Sequence, residues 1–177
     1  MKKIFSRALR GAMLDRKAFA EVFWDDDATA DGVIVVAVVA AASFLVVVLT
    51  RASVSLGSIP ALLQTTISAV ASWLILAAAT WFASTRMFKT GGGIQTMMAT
   101  HGLAYLPTIA FVIPLAIAPV IGLVWYVAVL TRATQEAVSS NTKTAFLAVL
   151  VGFAFMLMIQ AIFQLPFTAA SALFGLF

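Results

Sequence analysis

Three groups of residues in this chain carry types and spacings that could do chemistry. His101, the only histidine, sits in "THGLAYLP". A histidine in such apolar surroundings can ligate a haem or chlorin, relay protons, or hydrogen-bond a neighbouring helix. Zinc would need further nitrogen, sulfur or carboxylate ligands, and the apolar segments around His101 offer none. Four carboxylates, Asp25, Asp26, Asp27 and Asp31, crowd into "WDDDATAD". They suit the start of a helix, where negative charge meets unpaired N–H groups. They could equally attract a divalent cation or a basic partner, although consecutive aspartates lack the spacing of a calcium loop. Gln64, Gln160 and Gln164 are amides in apolar runs, the last two one helical turn apart. With Thr65 or Thr66 they could form a polar seam between helices, or line a path for a polar solute.

Other chemistry is missing from the pattern. There is no cysteine, so disulfides, thiolate metal sites and cysteine nucleophiles are excluded. No nucleophile is spaced for a base, and no metalloprotease or nucleophile-elbow motif occurs. "KTGGGIQT" (Lys89 to Thr96) is glycine-rich but lacks the Lys-Ser/Thr of a phosphate loop, and reads as a flexible hinge. A proton-coupled carrier typically needs an intramembrane carboxylate, and no Asp or Glu occurs between Asp31 and Glu136. The expectation is a protein without enzymatic activity and without a resident cofactor.

The elements that must position these residues follow from composition. The chain is 63% hydrophobic and 10% charged, with a mean hydropathy of +1.07. A soluble domain of this size would expose too much apolar surface, so the chain reads as an integral membrane protein. Its net charge of +4 does not indicate nucleic acid, because six of the eleven cations lie in the first seventeen residues. There Lys2, Lys3, Arg7, Arg10 and Lys17 alternate with Ile4, Phe5, Ala8, Leu9, Ala12 and Met13 at helical spacing. This predicts an amphipathic helix lying on an anionic cytoplasmic leaflet, or packed on the protein's own loops. A cleavable signal peptide is not expected, because the apolar run begins only at Val33, behind the aspartates.

A spanning helix needs about 20 mostly apolar residues. Residues 33–50, 59–84 and 144–165 each supply one, the last ended by Pro166. Residues 94–131 are too long for one crossing and contain Pro107, Pro114 and Pro119, so they divide into spans over 94–113 and 115–131. Five spans with the N-terminus inside place ten cations in the cytoplasm and only Arg51 outside. The fold expected is all-α: a polytopic helical bundle of five transmembrane helices (residues 33–177), preceded by a cytoplasmic amphipathic helix and acidic segment (residues 1–32). The C-terminus, "PFTAASALFGLF", would be a short interfacial helix or an apolar tail outside. Small residues four apart, such as Ala148 and Gly152, permit close helix approach.

With the spans in order, "HGLAYLP", "IGLVWYVAVL" (Ile121–Leu130) and "TKTAFLAVLVGF" (Thr142–Phe153) resemble the Yip domain family. "ALRGAMLDRKAFAEVFWDD" (Ala8–Asp26) is similar to the short amphipathic segment that precedes that family's first span. The resemblance implies a five-span membrane protein, of a kind that in eukaryotes partners Rab GTPases in vesicle traffic. Gly102, Tyr105 and Pro107 match the family's third-span segment loosely, which implies that His101 belongs to a packed, kinked span. Rab recognition does not carry over, because the alanine-heavy composition suggests a prokaryotic inner-membrane protein. The function expected is a non-catalytic scaffold or accessory subunit that binds lipid and other membrane proteins or its own copies. The alternatives are a transporter or channel for a small or lipidic solute, and a small subunit of a respiratory or photosynthetic complex.

Overall fold

The structure, a computed structural model, describes residues 2–25, 27–50 and 59–174, with no side-chain description for Lys2 or for residues 163–174. All regular structure among the described residues is helical. A helical hairpin, α1 (Lys2–Ala12) and α2 (Arg16–Ala20), leads through a 3₁₀ turn (Glu21–Trp24) into α3 (Ala28–Thr50). Then come α4 (Ile59–Phe82) with a π-helical turn at Ala83–Met87, α5 (Ile94–Leu103), a 3₁₀ helix at Leu106–Val112, α6 (Ala118–Ala137) and α7 (Thr142–Phe174). Three helical segments, Ala28–Thr50, Ile59–Met87 and Thr142–Ile162, are long and apolar enough to cross a membrane.

Asp25 sets the start of α3. Its side chain accepts from the backbone N–H of Asp27 at 3.3 Å, and its carbonyl accepts from the N–H of Ala28 at 3.1 Å. The helix therefore begins five residues before the apolar run, and Asp31 falls in its first turn.

The middle of the chain, where Pro107 implied a kink, changes its helix type. The α-helix that begins at Ile94 ends at Leu103, and the chain tightens into 3₁₀ geometry from Leu106. Pro107 explains the change: it has no N–H to give to Leu103, and its ring would strike that carbonyl in an α-helix. The chain reverses over Ile113–Ile117, and α6 starts with Pro119 in its first turn, where a missing donor costs little. At the other end α6 runs past Thr131 to Ala137, so Arg132, Gln135 and Glu136 are helical. Helix α7 likewise continues through Pro166 to Phe174, where a stop was expected. One proline removes one hydrogen bond, which a helix of 33 residues tolerates. The glycine segment is not the flexible hinge its composition suggests. Gly92 has φ +108°, its carbonyl accepts from Trp81 Nε1 at 3.2 Å, and a Cβ there would strike the end of α6 at Ala137 and Val138.

Contacts fix the running directions. Thr29 reaches the carbonyl of Gln95 and Gly32 meets Gly102, so α3 and α5 run parallel. His101 pairs with Thr134 and Tyr105 with Tyr126, so α6 runs back along α5. Thr80 meets Gly152 and Ser72 meets Gln160, so α4 and α7 are antiparallel. Trp81 reaches Gly92 and Trp73 lies at the Gly32–Gly102 crossing, so α4 runs back along α5 and successive long segments alternate in direction. Val35, Val39, Leu76, Leu103, Val129 and Val149 fill the centre. Leu45, Leu49, Ile67, Val124 and Leu157 point outward, the inside-out polarity suited to lipid.

Candidate functional site

The polar residues gather at two places, an ionic clasp at the N-terminus and a polar and aromatic seam inside the bundle. The clasp begins with the hairpin turn. Leu14 takes a left-handed conformation (φ 64°), its N–H donating to the Gly11 carbonyl at 2.9 Å, and Asp15 then caps α2 by accepting from the Lys17 N–H at 3.0 Å. Gly11 lets the Phe19 ring come close, since a Cβ there would lie 3.1 Å from it. The folded-back hairpin turns Arg7 inward.

Arg7 is only 3% exposed. Its guanidinium lies 2.8 Å from Asp25, 3.5 Å from Asp31 and 3.6 Å from Glu21. Arg10 reaches Asp15 at 2.8 Å and Glu21 at 2.9 Å, and Arg16 reaches Glu136 of α6 at 2.6 Å. Trp125 Nε1, also on α6, donates to the last carbonyl of α1, that of Ala12, at 2.8 Å. These two ties to α6 are eleven residues apart, so the hairpin follows that helix for about 16 Å. Hydrogen bonding to Arg7 holds the Asp25 carboxyl below the usual carboxylate range. The Arg10 contact does the same for Asp15, aided by the Lys17 N–H, and raises Arg10 itself.

The expected membrane-surface set divides in two. Arg7 and Arg10 are spent on the chain's own carboxylates, because a buried or half-buried charge needs an opposite charge more than it needs a lipid headgroup. Lys3 and Lys17 remain outward, with Lys3 3.4 Å from Asp25. Leu9, Met13, Leu14, Phe23 and Trp24 are exposed beside them, Trp24 by 91%. In the acidic cluster, Asp25 and Asp31 find their basic partner in α1, and Asp27 is exposed. Asp26 lies outside the described residues. Among the described residues no group of three or more His, Cys, Asp or Glu could hold a metal ion.

Inside the bundle His101 is fully buried, its Nε2 2.9 Å from the hydroxyl of Thr134. Axial ligation of a haem or chlorin through Nε2 would require breaking that bond and opening the helix contact around it. The next residue, Gly102, crosses Gly32 so closely that a Cβ on Gly102 would collide with the Gly32 backbone. Tyr105 follows. Its ring meets Tyr126 edge-on at 5.9 Å, and Tyr126 meets Phe153 at 5.9 Å and Phe111 at 6.4 Å. These rings, with Ser72, Trp73 and Thr108, line a cavity of about 170 Å³. Pro107 is buried at the first turn of the 3₁₀ helix.

Among the described side chains, Gln64 and Gln160 do not meet. Gln160 Nε2 donates to Ser72 at 3.2 Å, while Gln64 is exposed. Thr65 and Thr66 donate back to the carbonyls of Ala61 and Leu62 in their own helix. Register is the cause. With Ser72 opposite Gln160 and Thr80 opposite Gly152, Gln64 comes level with position 168 of α7 and cannot reach position 160. The Gln164 side chain lies outside the described residues. Sequence reasoning missed Thr134, Ser72, the Arg16–Glu136 tie and the Trp125–Ala12 tie. Only the equal number of basic and acidic residues in the first 32 positions, six of each, hinted at the clasp.

Comparison with known proteins returns no match to this chain among family models, curated proteins or solved structures.

Proposed function

We propose that the protein is a non-catalytic membrane scaffold or accessory subunit of five crossings, N-terminus in the cytoplasm and C-terminus outside, in the manner of the Yip domain family. One observation carries the reading: the side-chain ties among His101, Gln160 and Arg7 and their partners join one helix of the chain to another. His101 binds Thr134, Gln160 binds Ser72, and Arg7 binds the carboxylates at the start of α3. What the molecule offers outward is an apolar surface and the hairpin. That is the equipment of a protein that works through contacts with lipid and neighbouring membrane proteins.

Lengths support the crossings that lie beyond the three plain helices. Ten α residues from Ile94 and nine 3₁₀ or turn residues up to Val112 have a summed helical rise of about 33 Å, against about 30 Å of hydrocarbon. Helix α6, of 20 residues, gives about 30 Å. With Glu136 at the cytoplasmic interface, the hairpin stands along α6 and sets Leu9, Met13 and Leu14 among acyl chains, with Arg10 paired to Asp15 and Arg16 to Glu136. The chain has no cysteine, so single cysteines report topology cleanly. Lys143→Cys in inverted inner-membrane vesicles should react with an impermeant maleimide, and in intact spheroplasts it should not. The opposite result rejects the orientation. For the role, crosslinking in native membranes should capture a membrane partner or a second copy. A protein that remains monomeric and alone throughout would defeat the scaffold reading.

A second reading has one observation in its favour. The 170 Å³ cavity between Tyr105, Tyr126 and Ser72 has room for a small solute, with hydroxyls at hand. Solute flux in proteoliposomes that disappears on Ser72→Leu would favour a carrier.

A further inference from the structure

The outer face of α6 and α7 carries a groove that plays no part in holding the bundle together. We propose that it is a binding site for one anionic phospholipid of the cytoplasmic leaflet, with an acyl chain between the two helices and the phosphate on Arg132. The assignment rests on the membrane reading and orientation given above.

The groove has a volume of about 710 Å³. Val124, Val127 and Ala128 of α6, Phe146 and Leu150 of α7 and Leu14 at the hairpin tip make its apolar walls. Its polar residues, Thr131, Arg132, Gln135 and Thr142, all lie at one end, where α6 finishes and α7 starts. That gradient from a cationic mouth to an apolar trough is the complement of a phospholipid. The lining runs from Leu123 to Gln135, about 18 Å of helix.

Charge selects the headgroup. Arg7, Arg10 and Arg16 each have a carboxylate within 4.0 Å, whereas among the described residues Arg132 has none. Its Nη1 donates to Gln135 Oε1 at 2.9 Å, and Glu136, next but three along the helix, is held by Arg16. A guanidinium presents five N–H donors in a fork that matches phosphate oxygens, so most of this one remains to be satisfied. Lys143, exposed beside Thr142 in the chain, adds positive charge at the same mouth. A site in a half-apolar setting with an uncompensated cation favours an anionic over a zwitterionic headgroup.

The test is native mass spectrometry of the full chain released from mild detergent, with phosphatidylglycerol and phosphatidylcholine of identical acyl chains in competition. The wild type should retain one phosphatidylglycerol in preference. Arg132→Gln should weaken its retention by roughly tenfold or more, the scale of a lost charge-assisted hydrogen bond, with Arg132→Lys between the two. Ala128→Trp should fill the trough and exclude both lipids. Equal retention of the two lipids by the wild type overturns the proposal without recourse to any variant. Undiminished phosphatidylglycerol binding to Arg132→Gln or Ala128→Trp overturns it as well, as does a disulfide-linked dimer from Ala128→Cys. Alkaline carbonate separates the layers of the argument: a protein washed off the membrane sinks the membrane reading itself. A carbonate-resistant protein without lipid preference sinks only the groove.

Discussion

The crossing of α3 over α5 makes an asymmetric prediction about two glycines that sequence alone would treat alike. At Gly102 an added Cβ would collide with Gly32 Cα and lie 2.9 Å from its carbonyl carbon and 3.0 Å from its oxygen. All three are backbone atoms, so relief requires moving a helix. At Gly32 an added Cβ would meet Gly102 Cα at 3.4 Å, the Ala99 carbonyl oxygen at 3.5 Å and the Trp73 ring at 3.5 Å, all ordinary contacts. Overpacking a core costs about 1–3 kcal/mol, and Gly102→Ala belongs at the upper end because no side chain can yield. At about 2–4 °C per kcal/mol for a domain of this size, its melting temperature should fall by about 6–12 °C. Gly32→Ala should be neutral or slightly stabilising, since alanine exceeds glycine by about 1 kcal/mol in helix propensity. The assay is the temperature dependence of the monodisperse peak in size-exclusion chromatography, in one detergent for all three proteins. A Gly102→Ala protein melting within about 2 °C of wild type, or a Gly32→Ala protein falling equally far, would refute the reasoning.

Three further outcomes are expected. Gly152→Ala should destabilise the α4–α7 contact because its Cβ would collide with the Thr80 hydroxyl, and Thr80→Ala should restore much of the loss; a double mutant no better than Gly152→Ala alone, in the same melting assay, would reject that contact. Thr134→Val removes the partner of His101 and should cost about 0.6–1.7 kcal/mol, read as a fall of a few degrees, whereas no change would mean that the His101 bond contributes nothing. Arg7→Leu leaves Asp25 and Asp31 without their guanidinium and should cost roughly 2 kcal/mol, loosening the hairpin so that amides of residues 2–20 exchange hydrogen faster. In the wild type the same loosening should come with acid. The Asp25 carboxyl is depressed in the folded protein, so its contribution is fully present above the unfolded value of about 3.9 and disappears as pH falls through the folded one. Exchange that is unaltered in Arg7→Leu, or that slows on acidification after correction for intrinsic rates, contradicts the clasp.

The apolar runs at 33–50, 59–84 and 144–165 determined three helices directly, because a continuous run of that length has one stable arrangement in lipid and its backbone must bond within itself. Pro107, Pro114 and Pro119 likewise determined that residues 94–131 form no single rod, since a missing N–H and a ring clash act on the nearest turn whatever surrounds it. The kind of break was less legible: α-helix to Leu103 and then 3₁₀ is one of several ways to absorb a proline. Partners were decided only by the tertiary structure. Arg7 reads as a surface cation until the turn at Leu14 folds α1 back onto Asp25 and Asp31. Gln64 and Gln160 read as one seam until the register of α4 on α7 sets them eight residues out of step. Arg132, one cation among eleven in the sequence, becomes distinct only when Arg16 takes Glu136 from beside it. Periodicity reports which face of a helix is apolar, a local property. Which residue stands opposite depends on how far one helix has slid along another, and that is settled by close approaches such as Gly32–Gly102 and Thr80–Gly152 between residues far apart in the chain.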